Sequence, residues 1–394
     1  MMTKGINIKK HRRSLCCGVL LLLLVLAAAA CAPAALPTPT PAAPKPAPAA
    51  ATPTTAAPAP AAATPTSAPA KPTQAAPTPT PRPVTLKFGT TGALAFSGIY
   101  IAMEKGFFKE QGIEIEIVPF RTVGEMVAPL GVGQVDLAGM PVSPALLAAR
   151  DRGIELKVVA TGGQQRQGWG SVWAALRKDL ADSGKVKAPA DLKGMKLAIA
   201  SQGSYLDMFA RLVMEEGGLK EEDVDLVVLP HAEQVTALAN KAIAVGFTTE
   251  PFIVRGVQQG LSVKWIPDYK YFGGASQGAA VVFGPGLLKD KEVAQRWMTA
   301  YLKGLRAYTD AFEKKIGRDE VVKILAKQTE VKEPELYDLM ELPYLEPNGA
   351  LDKGSMDKQY KWYVDTGVYK GKSTFEDLVD RSLVEYAAQK LGRR

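Results

Sequence analysis

A change of composition at Val84 divides the chain into a part that cannot form a packed core and a part that can. Residues 32–83 hold 17 of the chain's 29 prolines, and alanine and threonine make up most of the remainder. Such a stretch buries too little apolar surface to offset the entropy of ordering, and its prolines favour an extended, semi-rigid conformation. We therefore predict a disordered tether over residues 31–83 and place the folded protein in residues 84–394.

The segment before the tether has the pattern of a secretory signal peptide. Basic residues without any acidic residue open the chain, an apolar run from Leu15 to Ala30 follows, and small residues end it. The run is too short for a comfortable membrane span of about 20 residues. We therefore exclude residues 1–30 from the fold and predict that the protein is exported.

Cys31 is the one cysteine that would remain after cleavage, because Cys16 and Cys17 lie inside the predicted signal peptide. An internal disulfide is then impossible. The run AAAC that ends at Cys31 resembles the lipobox of bacterial lipoproteins, although Ala28 stands where that pattern prefers leucine. The resemblance implies lipid on Cys31 and a membrane anchor on the outer face of the cell membrane. Simple cleavage at an A-x-A site, with full secretion, is the alternative.

The net charge of the chain comes entirely from its first 83 residues. The total is +8, from 48 Lys and Arg against 40 Asp and Glu. Five basic residues fall in 1–30 and three in 32–83, which leaves 40 of each sign in residues 84–394. The folded part is therefore neutral, and we expect no nucleic-acid partner.

From Val84 onward, short apolar runs alternate with helix-like stretches and Gly-rich turns. Strands are predicted near 84–89, 113–119, 134–139 and 156–160, with helices between them, the first from Ser97 to Lys109. The pattern restarts after Asp191, with a helix predicted from about Tyr205 to Glu216. This alternation is typical of parallel βαβ units. With 311 residues we expect two core-bearing α/β units, followed by helices from about Lys289 to the end.

Four stretches in register resemble the periplasmic substrate-binding proteins of ABC importers, in the nitrate, sulfonate, taurine and thiamine-precursor (NMT1/THI5-like) group. They are GIYIAMEKGFFKEQGIEIEIV (98–118), GVGQVDLAGMPVSPAL (131–146), KAPADLKGMKLAIASQGS (187–204) and TTEPF (248–252). One stretch departs from the group: LANKAIAVGF (238–247) lacks the turn glycine and the aspartate of the usual pattern.

The resemblance implies a periplasmic-binding-protein-like α/β fold of type II, in which two lobes are joined by a hinge and bind ligand in the cleft between them. Lobe I would comprise 84–185 and 268–394, and lobe II 186–267. The expected partners are a small-molecule solute and the permease and ATPase subunits of an ABC importer. A monomer without cofactor or metal is expected.

The candidate ligand contacts of lobe I follow predicted strands, where ligands of open α/β sheets bind. Thr91, Phe96 and Ser97 lie in the loop after the first strand, with Phe96 as an aromatic of the cleft. Val142 and Ser143 follow the strand that ends near Gly139. Both serines have an alternative reading as helix caps that contact no ligand.

The candidates of lobe II lie at predicted helix starts. The run Ser201, Gln202, Gly203 and Ser204 offers hydroxyl and N–H groups at a helix N-terminus, which favours an anion. Glu250 of the TTEPF stretch faces the cleft by the resemblance, and would favour a ligand with N–H donors. Pairing with the dipole of its own helix is the alternative for Glu250.

A polar, Gly-rich loop at 162–169 supplies the last two candidates. Arg166 can bind a sulfonate or carboxylate with two hydrogen bonds, or be a solvated loop arginine. Trp169 can stack on a flat ligand or fill the hinge. The ligand class therefore stays open between an organic anion of the sulfonate, taurine or nitrate type, which we favour, and a flat heterocycle such as a pyrimidine or flavin.

Catalysis has little support in the sequence. His231 is the one histidine of the folded part, no cysteine follows Cys31, and no metal-binding motif or Ser/His pair is present. The related pyrimidine-synthesis enzymes share the implied fold but carry a cysteine-rich motif. We expect a binding protein and no enzyme, with a non-transport extracellular sensory module as the alternative from another class.

Overall fold

The structure is a computed structural model that describes residues 82–394, all within one compact unit that spans Ala76–Arg394. The predicted signal peptide (1–30), the lipid site at Cys31 and nearly all of the tether lie outside the described residues. None of the helices within 82–394 is both long and apolar enough to span a membrane.

Twelve strands occur in the described part of the chain. They are β1 (Val84–Thr90), β2 (Ile113–Pro119), β3 (Leu137–Met140), β4 (Lys157–Thr161), β5 (Gln164–Arg166), β6 (Val172–Arg177), β7 (Lys196–Ile199), β8 (Asp225–Val228), β9 (Val245–Thr249), β10 (Ser262–Pro267), β11 (Ala275–Gln277) and β12 (Ala280–Phe283).

Fifteen α-helices accompany these strands in residues 82–394. They are α1 (Ser97–Glu104), α2 (Phe107–Glu110), α3 (Gly124–Gly131), α4 (Pro144–Asp151), α5 (Lys178–Asp182), α6 (Tyr205–Glu216), α7 (His231–Ala239), α8 (Phe252–Gln258), α9 (Pro285–Lys289), α10 (Lys291–Glu313), α11 (Arg318–Gln328), α12 (Leu336–Leu339), α13 (Lys353–Asp365), α14 (Phe375–Leu378) and α15 (Ser382–Leu391).

The strands form two five-stranded sheets and one two-stranded ribbon. The first sheet has the order β2-β1-β3-β12-β4, and the second has the order β10-β6-β9-β7-β8. In the first sheet, β1, β2 and β3 are parallel and β12 runs against its neighbours β3 and β4. In the second, β7, β8 and β9 are parallel, and β6 runs against both of its neighbours, β9 and β10. The predicted α/β fold with two lobes is confirmed.

Each sheet has its own apolar core. The first sheet packs with α1 and the long helix α10, which presents Val293, Trp297, Tyr301 and Leu305 at helical spacing to one face. The second sheet packs on α6, whose Phe209 and other apolar side chains are buried against it. We call the residues around the first sheet the first-sheet body and those around the second sheet the second-sheet body.

The chain crosses twice between the two bodies. Residues 162–171 lead from β4 to β6, and residues 268–279 lead from β10 back to β12. Within these crossings β5 pairs antiparallel with β11, so that Gln164 faces Gln277. The two crossings therefore form one ribbon, which is the hinge expected from the sequence.

Strand β6 corrects one predicted boundary. We expected lobe I to continue to residue 185, whereas β6 (Val172–Arg177) pairs with β9 and β10 in the second sheet. The first change of sheet therefore occurs within residues 162–171. The sequence 162–169 is polar and Gly-rich, which favours a loop, and the local pattern predicts no strand at 164–166 or 172–177. The other proposed lobe limits stay predictions.

Lys241 explains how the fold tolerates the departure in the stretch LANKAIAVGF. It occupies the position of the missing turn glycine and adopts the left-handed conformation, with φ of 58°. The turn carbonyls of Lys241 and Ile243 accept hydrogen bonds from Arg177 Nη1 at 3.0 and 3.1 Å. The turn is thus kept, at the cost of a backbone conformation that L-residues disfavour.

Candidate functional site

The carboxyl edges of the two sheets are joined directly by the two crossings. In the first sheet, Thr90, Met140 and Thr161 end β1, β3 and β4 on the same edge. In the second, Thr249 ends β9 and pairs with Val172, the first residue of β6. Thr161 precedes and Val172 follows the first crossing, so both edges border the ribbon that the two crossings form. The space between the two edges is the place where ligands bind in open α/β sheets.

The loop after β1 brings only one of its three candidates to the surface. Thr91 is half-buried. Phe96 is 2% exposed and belongs to the core of the first-sheet body. A β-carbon on Gly139 or Gly162 would come within 2.7 Å of the Phe96 ring, so these glycines make room for it. Phe96, the aromatic expected in the cleft, therefore packs in the core beneath the edge of the first sheet. Its contact with ligand stays a prediction.

The two serines of the first-sheet edge differ in their partners. Ser97 is fully buried, and its hydroxyl donates to the carbonyl of Leu94 at 2.6 Å. Ser143 stands at the start of α4 with extended backbone, and its side chain makes no capping hydrogen bond. The half-buried Ser143 hydroxyl is therefore free for a ligand, while its neighbour Val142 is buried in an apolar cluster.

The Ser201–Ser204 run opens α6, as predicted, but a carboxylate already occupies its helix start. Ser201 and Gln202 are exposed, and Ser204 caps the helix by accepting from the Asp207 N–H at 3.3 Å. The Asp207 carboxylate accepts from the Gly203 N–H at 2.7 Å. This carboxylate, which also pairs with Arg211 at 2.8 Å, thus already occupies a helix N–H group that a bound anion would otherwise accept from.

Glu250 makes contacts within the protein. Its side chain is fully buried, and Oε2 accepts from the Val254 N–H of α8 at 2.8 Å. Lys264 Nζ lies 3.3 Å from Oε1. Burial raises the pKa of Glu250, and Lys264 is the strongest influence in the opposite direction. The alternative given for Glu250, pairing with its own helix, is the arrangement in this structure.

Arg166 and Trp169 pack on the first-sheet body. Their backbones exchange two hydrogen bonds of 2.8 Å across a tight turn. The Arg166 guanidinium lies 3.3 Å from the centre of the Tyr344 ring and 3.6 Å from Glu313. Trp169 packs at 5.8 Å against the same Tyr344 ring. Arg166 is therefore already partnered by an aromatic ring and a carboxylate.

The hinge ribbon is built on a buried amide that sequence reasoning missed. Gln277 is 1% exposed, and its Nε2 donates to Thr161 Oγ1 at 2.9 Å and to the Ala279 carbonyl at 2.6 Å. Its Oε1 accepts from Gln164 Nε2 at 3.1 Å and from the Asp352 N–H at 2.9 Å. One side chain thus ties both crossings to the start of α13.

A buried acid joins the second crossing to α6. Asp268 Oδ2 accepts from Ser276 Oγ at 2.8 Å and from the hydroxyl of Tyr205, and Oδ1 accepts from the Tyr269 N–H at 2.8 Å. Burial raises the pKa of Asp268 to about 7, although these donors oppose the shift. Tyr205 follows directly on the Ser201–Ser204 run, so Asp268 connects the hinge to a candidate ligand loop.

His231 has the surroundings of a structural side chain. Its Nδ1 lies 2.8 Å from Thr248 Oγ1, and its ring stacks on Phe252 at 5.5 Å. Burial lowers the pKa of His231 to about 4. Among residues 82–394, no group of three or more His, Cys, Asp or Glu side chains is arranged to hold a metal ion.

Two curated relatives share part of the sequence. A putative binding protein of Brucella abortus is 27% identical over 153 residues, which cover 39% of this chain and 44% of that protein. The riboflavin-binding protein RibY of Chloroflexus aurantiacus is 27% identical over 236 residues, which cover 56% of this chain and 61% of that protein. The chain thus matches about half the length of these relatives.

Solved structures share the fold over most of their own length. The alkanesulfonate-binding protein SsuA from Xanthomonas axonopodis pv. citri, bound to MOPS, is 17% identical with a TM-score of 0.60, and the match covers 76% of this chain and 99% of that one. The periplasmic nitrate-binding protein NrtA from Synechocystis is 18% identical with a TM-score of 0.60, covering 79% and 90%. The desulfurization enzyme DSZB is 14% identical with a TM-score of 0.56, covering 77% and 99%.

These structural matches show the type II periplasmic-binding-protein fold, which holds binding proteins and an enzyme alike. The sequence match to a family model is more specific. It spans residues 94–312, from the loop after β1 to the end of the long helix α10. That range is more than half of the chain and includes both crossings, the edge of the second sheet and the ends of β3 and β4 in the first. This chain therefore belongs to the NMT1/THI5-like family.

Proposed function

We propose that this protein is an extracytoplasmic solute-binding protein of an ABC importer, which closes on a small solute and delivers it to the permease. One observation carries the proposal: two α/β bodies meet at their carboxyl edges and are joined by a two-stranded hinge. Such a hinge lets ligand binding bias an equilibrium between open and closed states. The names of SsuA and NrtA, which describe sulfonate and nitrate binding, agree with it.

The ligand that we propose is a small organic anion of the sulfonate, taurine or nitrate type. The free hydroxyl of Ser143, the exposed Ser201 and Gln202, and the half-buried Thr91 supply hydrogen-bond donors at the two edges. The two cations considered at the hinge and the second sheet, Arg166 and Lys264, are both paired with carboxylates. Recognition of the anion would therefore depend on hydroxyl and N–H donors more than on a free cation.

We also propose the location and partners that the sequence indicates. Export and lipid on Cys31 would hold the protein at the outer face of the cell membrane, and the tether of residues 31–83 would let the folded part reach the permease. A permease and an ATPase are its proposed partners, and it would act as a monomer. We propose no catalytic activity, because His231 is held in a structural environment.

A thermal-shift screen of the purified protein tests this proposal. The panel contains sulfonates, taurine and nitrate, with pyrimidines and flavins as separate arms. A ligand at about 100 times its Kd adds about 2.7 kcal/mol to the free energy of unfolding. For a folded part of this size the melting temperature should rise by roughly 5 °C or more.

The arms of the screen separate the ligand classes. A shift with sulfonates, taurine or nitrate supports the proposed anion, and a shift with flavins or pyrimidines alone replaces it by a flat heterocycle. If no compound shifts the melting temperature of protein shown by native mass spectrometry to be free of solute, the proposed ligand classes are wrong. The variant Ser143→Ala serves as the control for binding at the sheet edge.

A further inference from the structure

Lys264 lies between two carboxylates that belong to different bodies. It is a residue of β10 in the second sheet, and its side chain is 20% exposed. Its Nζ is 3.3 Å from Glu250 Oε1 and 3.3 Å from Glu341 Oε1. It also lies 5.8 Å from the centre of the Trp173 ring. One ammonium group therefore serves two acids at once.

Glu250 belongs to the second-sheet body together with Lys264. It follows β9 directly and receives the Val254 N–H at the start of α8. Its Oε1 makes no hydrogen bond, so the ammonium of Lys264 is the charge that compensates this buried oxygen. Because both residues lie in one body, their pair survives any relative movement of the two bodies.

Glu341 belongs to the first-sheet body. Its neighbours Met340 and Leu342 are both buried in the core that surrounds the first sheet. The Lys264–Glu341 pair therefore joins the two bodies. Arg255 of α8 and Glu333 form a second, looser pair of 3.8 Å between the same regions.

The first crossing passes close to Glu341 at a glycine. A β-carbon on Gly170 would lie 3.0 Å from Glu341 Oε2 and 3.2 Å from Trp173 Nε1. Gly170 has no side chain, and the Glu341 carboxylate therefore has room to lie beside the hinge. Val254 of α8 is buried in the core of the first-sheet body as well, so the two bodies are in apolar contact at this side.

We propose that Lys264 is a positioning residue that holds the two bodies closed through Glu341. This inference rests on the proposed function in one respect, namely that the bodies separate to admit a solute. Opening breaks the pair with the partly exposed Glu341 and leaves the pair with the buried Glu250 intact. We call the Lys264–Glu341 pair the latch. Because water can solvate the partly exposed Glu341 carboxylate once the pair breaks, the latch is weak enough to open.

The test measures opening in the absence of solute. Spin labels are placed on cysteines introduced by Glu222→Cys in the second-sheet body and Lys323→Cys in the first-sheet body, both exposed positions. The native cysteines are replaced, and the distance distribution is recorded by double electron–electron resonance. Glu341→Gln removes the acid of the latch and leaves Lys264 paired with Glu250.

We expect Glu341→Gln to raise the ratio of open to closed protein about two- to fivefold. This change corresponds to the free energy that partly exposed ion pairs contribute. Salt at about 1 M, which shortens the screening length to about 3 Å, should raise this ratio in the unmodified protein and change it little in the variant. The matched control is Asp225→Asn, which breaks the 3.0 Å pair with Lys196 between β8 and β7 inside the second-sheet body. It should leave the distances unchanged.

Lys264→Met gives a second test, because it leaves Glu250 buried without its cation. We expect it to open the protein and to lower its melting temperature, whereas Lys264→Arg should restore the closed distances. An unchanged distance distribution in Glu341→Gln, or an equal change in Asp225→Asn, overturns the proposal. Since no solute is present, failure of the ligand screen leaves this result interpretable on its own.

Discussion

Protonation of Asp268 should make the stability of the hinge depend on pH. The carboxyl group is fully buried between the second crossing and α6, where it accepts from Ser276, Tyr205 and the Tyr269 N–H. Burial raises its pKa from the ordinary value of 3.8 to about 7. The partner phenol of Tyr205 stays protonated, since burial first and the charge of Asp268 second raise its pKa well above 10.

The sign of the effect follows from where the proton is held. Between about pH 4 and pH 7 the folded protein keeps the proton on Asp268 while the unfolded chain has lost it. The stabilisation that the protonated Asp268 gives to the folded protein is therefore fully present below the pKa of the unfolded chain. It is lost as the pH rises through the pKa of Asp268 in the folded protein. A shift of about three pKa units corresponds to about 4 kcal/mol, of which about 3 kcal/mol falls between about pH 4.5 and pH 7.5.

The assay compares the protein with Asp268→Asn, which is similar in shape, cannot ionise and can still accept from the Tyr269 N–H. The free energy of unfolding is measured by urea titration at both pH values for both proteins. All other titrating groups are shared, so the difference between the two proteins isolates Asp268. We expect the unmodified protein to lose about 3 kcal/mol relative to the variant as the pH rises. A difference that stays constant within about 0.5 kcal/mol would refute the reasoning.

Three further substitutions test other parts of the account. Lys241→Gly removes the strain of a left-handed backbone and should raise the free energy of unfolding by about 0.5–1 kcal/mol, measured by urea titration. A lower free energy of unfolding would contradict the turn assignment. Gly304→Ala places a methyl group against the carbonyl oxygen of Gly98, where α10 meets α1, and should cost about 1–3 kcal/mol in the same assay. Gly286→Ala, which lies in α9 and meets nothing within 4 Å, is its control and should raise the free energy of unfolding by about 0.5–1 kcal/mol. Ser143→Ala removes an uncapped hydroxyl, so calorimetry should show solute affinity about fivefold weaker at unchanged melting temperature; a lower melting temperature at unchanged affinity would make Ser143 structural.

Local patterns in the sequence were sufficient for most regular elements. The strand predicted at 113–119 is β2, and the helix predicted from Tyr205 to Glu216 is α6. Both have strong periodicity and end at turns, so the local sequence carries the information. The helix predicted from Ser97 to Lys109 is instead two helices, because Gly106 adopts a left-handed conformation with φ of 77°. A glycine signals such a break without determining it.

The elements that were missed depend on distant partners. Strands β5 and β6 lie in or beside a polar, Gly-rich stretch, and they form because β11 and β9 pair with them from 70 to 110 residues away along the chain. The position of β6 between β9 and β10 likewise follows from pairing that no local pattern reveals. Such contacts decide which sheet a strand joins, and therefore where the lobes divide.

The candidate site was predicted at the level of loops and less well at the level of side chains. The loops after β1, β3, β7 and β9 do lie on the two carboxyl edges, because parallel strands place them there. The partners of individual charges were not predictable. Asp207 fills the helix start beside Gly203, and Glu341 reaches Lys264 from 77 positions along the chain. Each of these contacts changes the electrostatics of the site without leaving a motif.

Hydrogen–deuterium exchange with and without solute tests the central claim most directly, using the compound that raises the melting temperature most in the screen. If solute binds between the two sheets, we expect protection on both edges together, in the loops 90–97 and 141–146 of the first-sheet body and in 201–207 and 249–254 of the second. Protection confined to one body, or located away from both edges, would contradict binding between the two sheets.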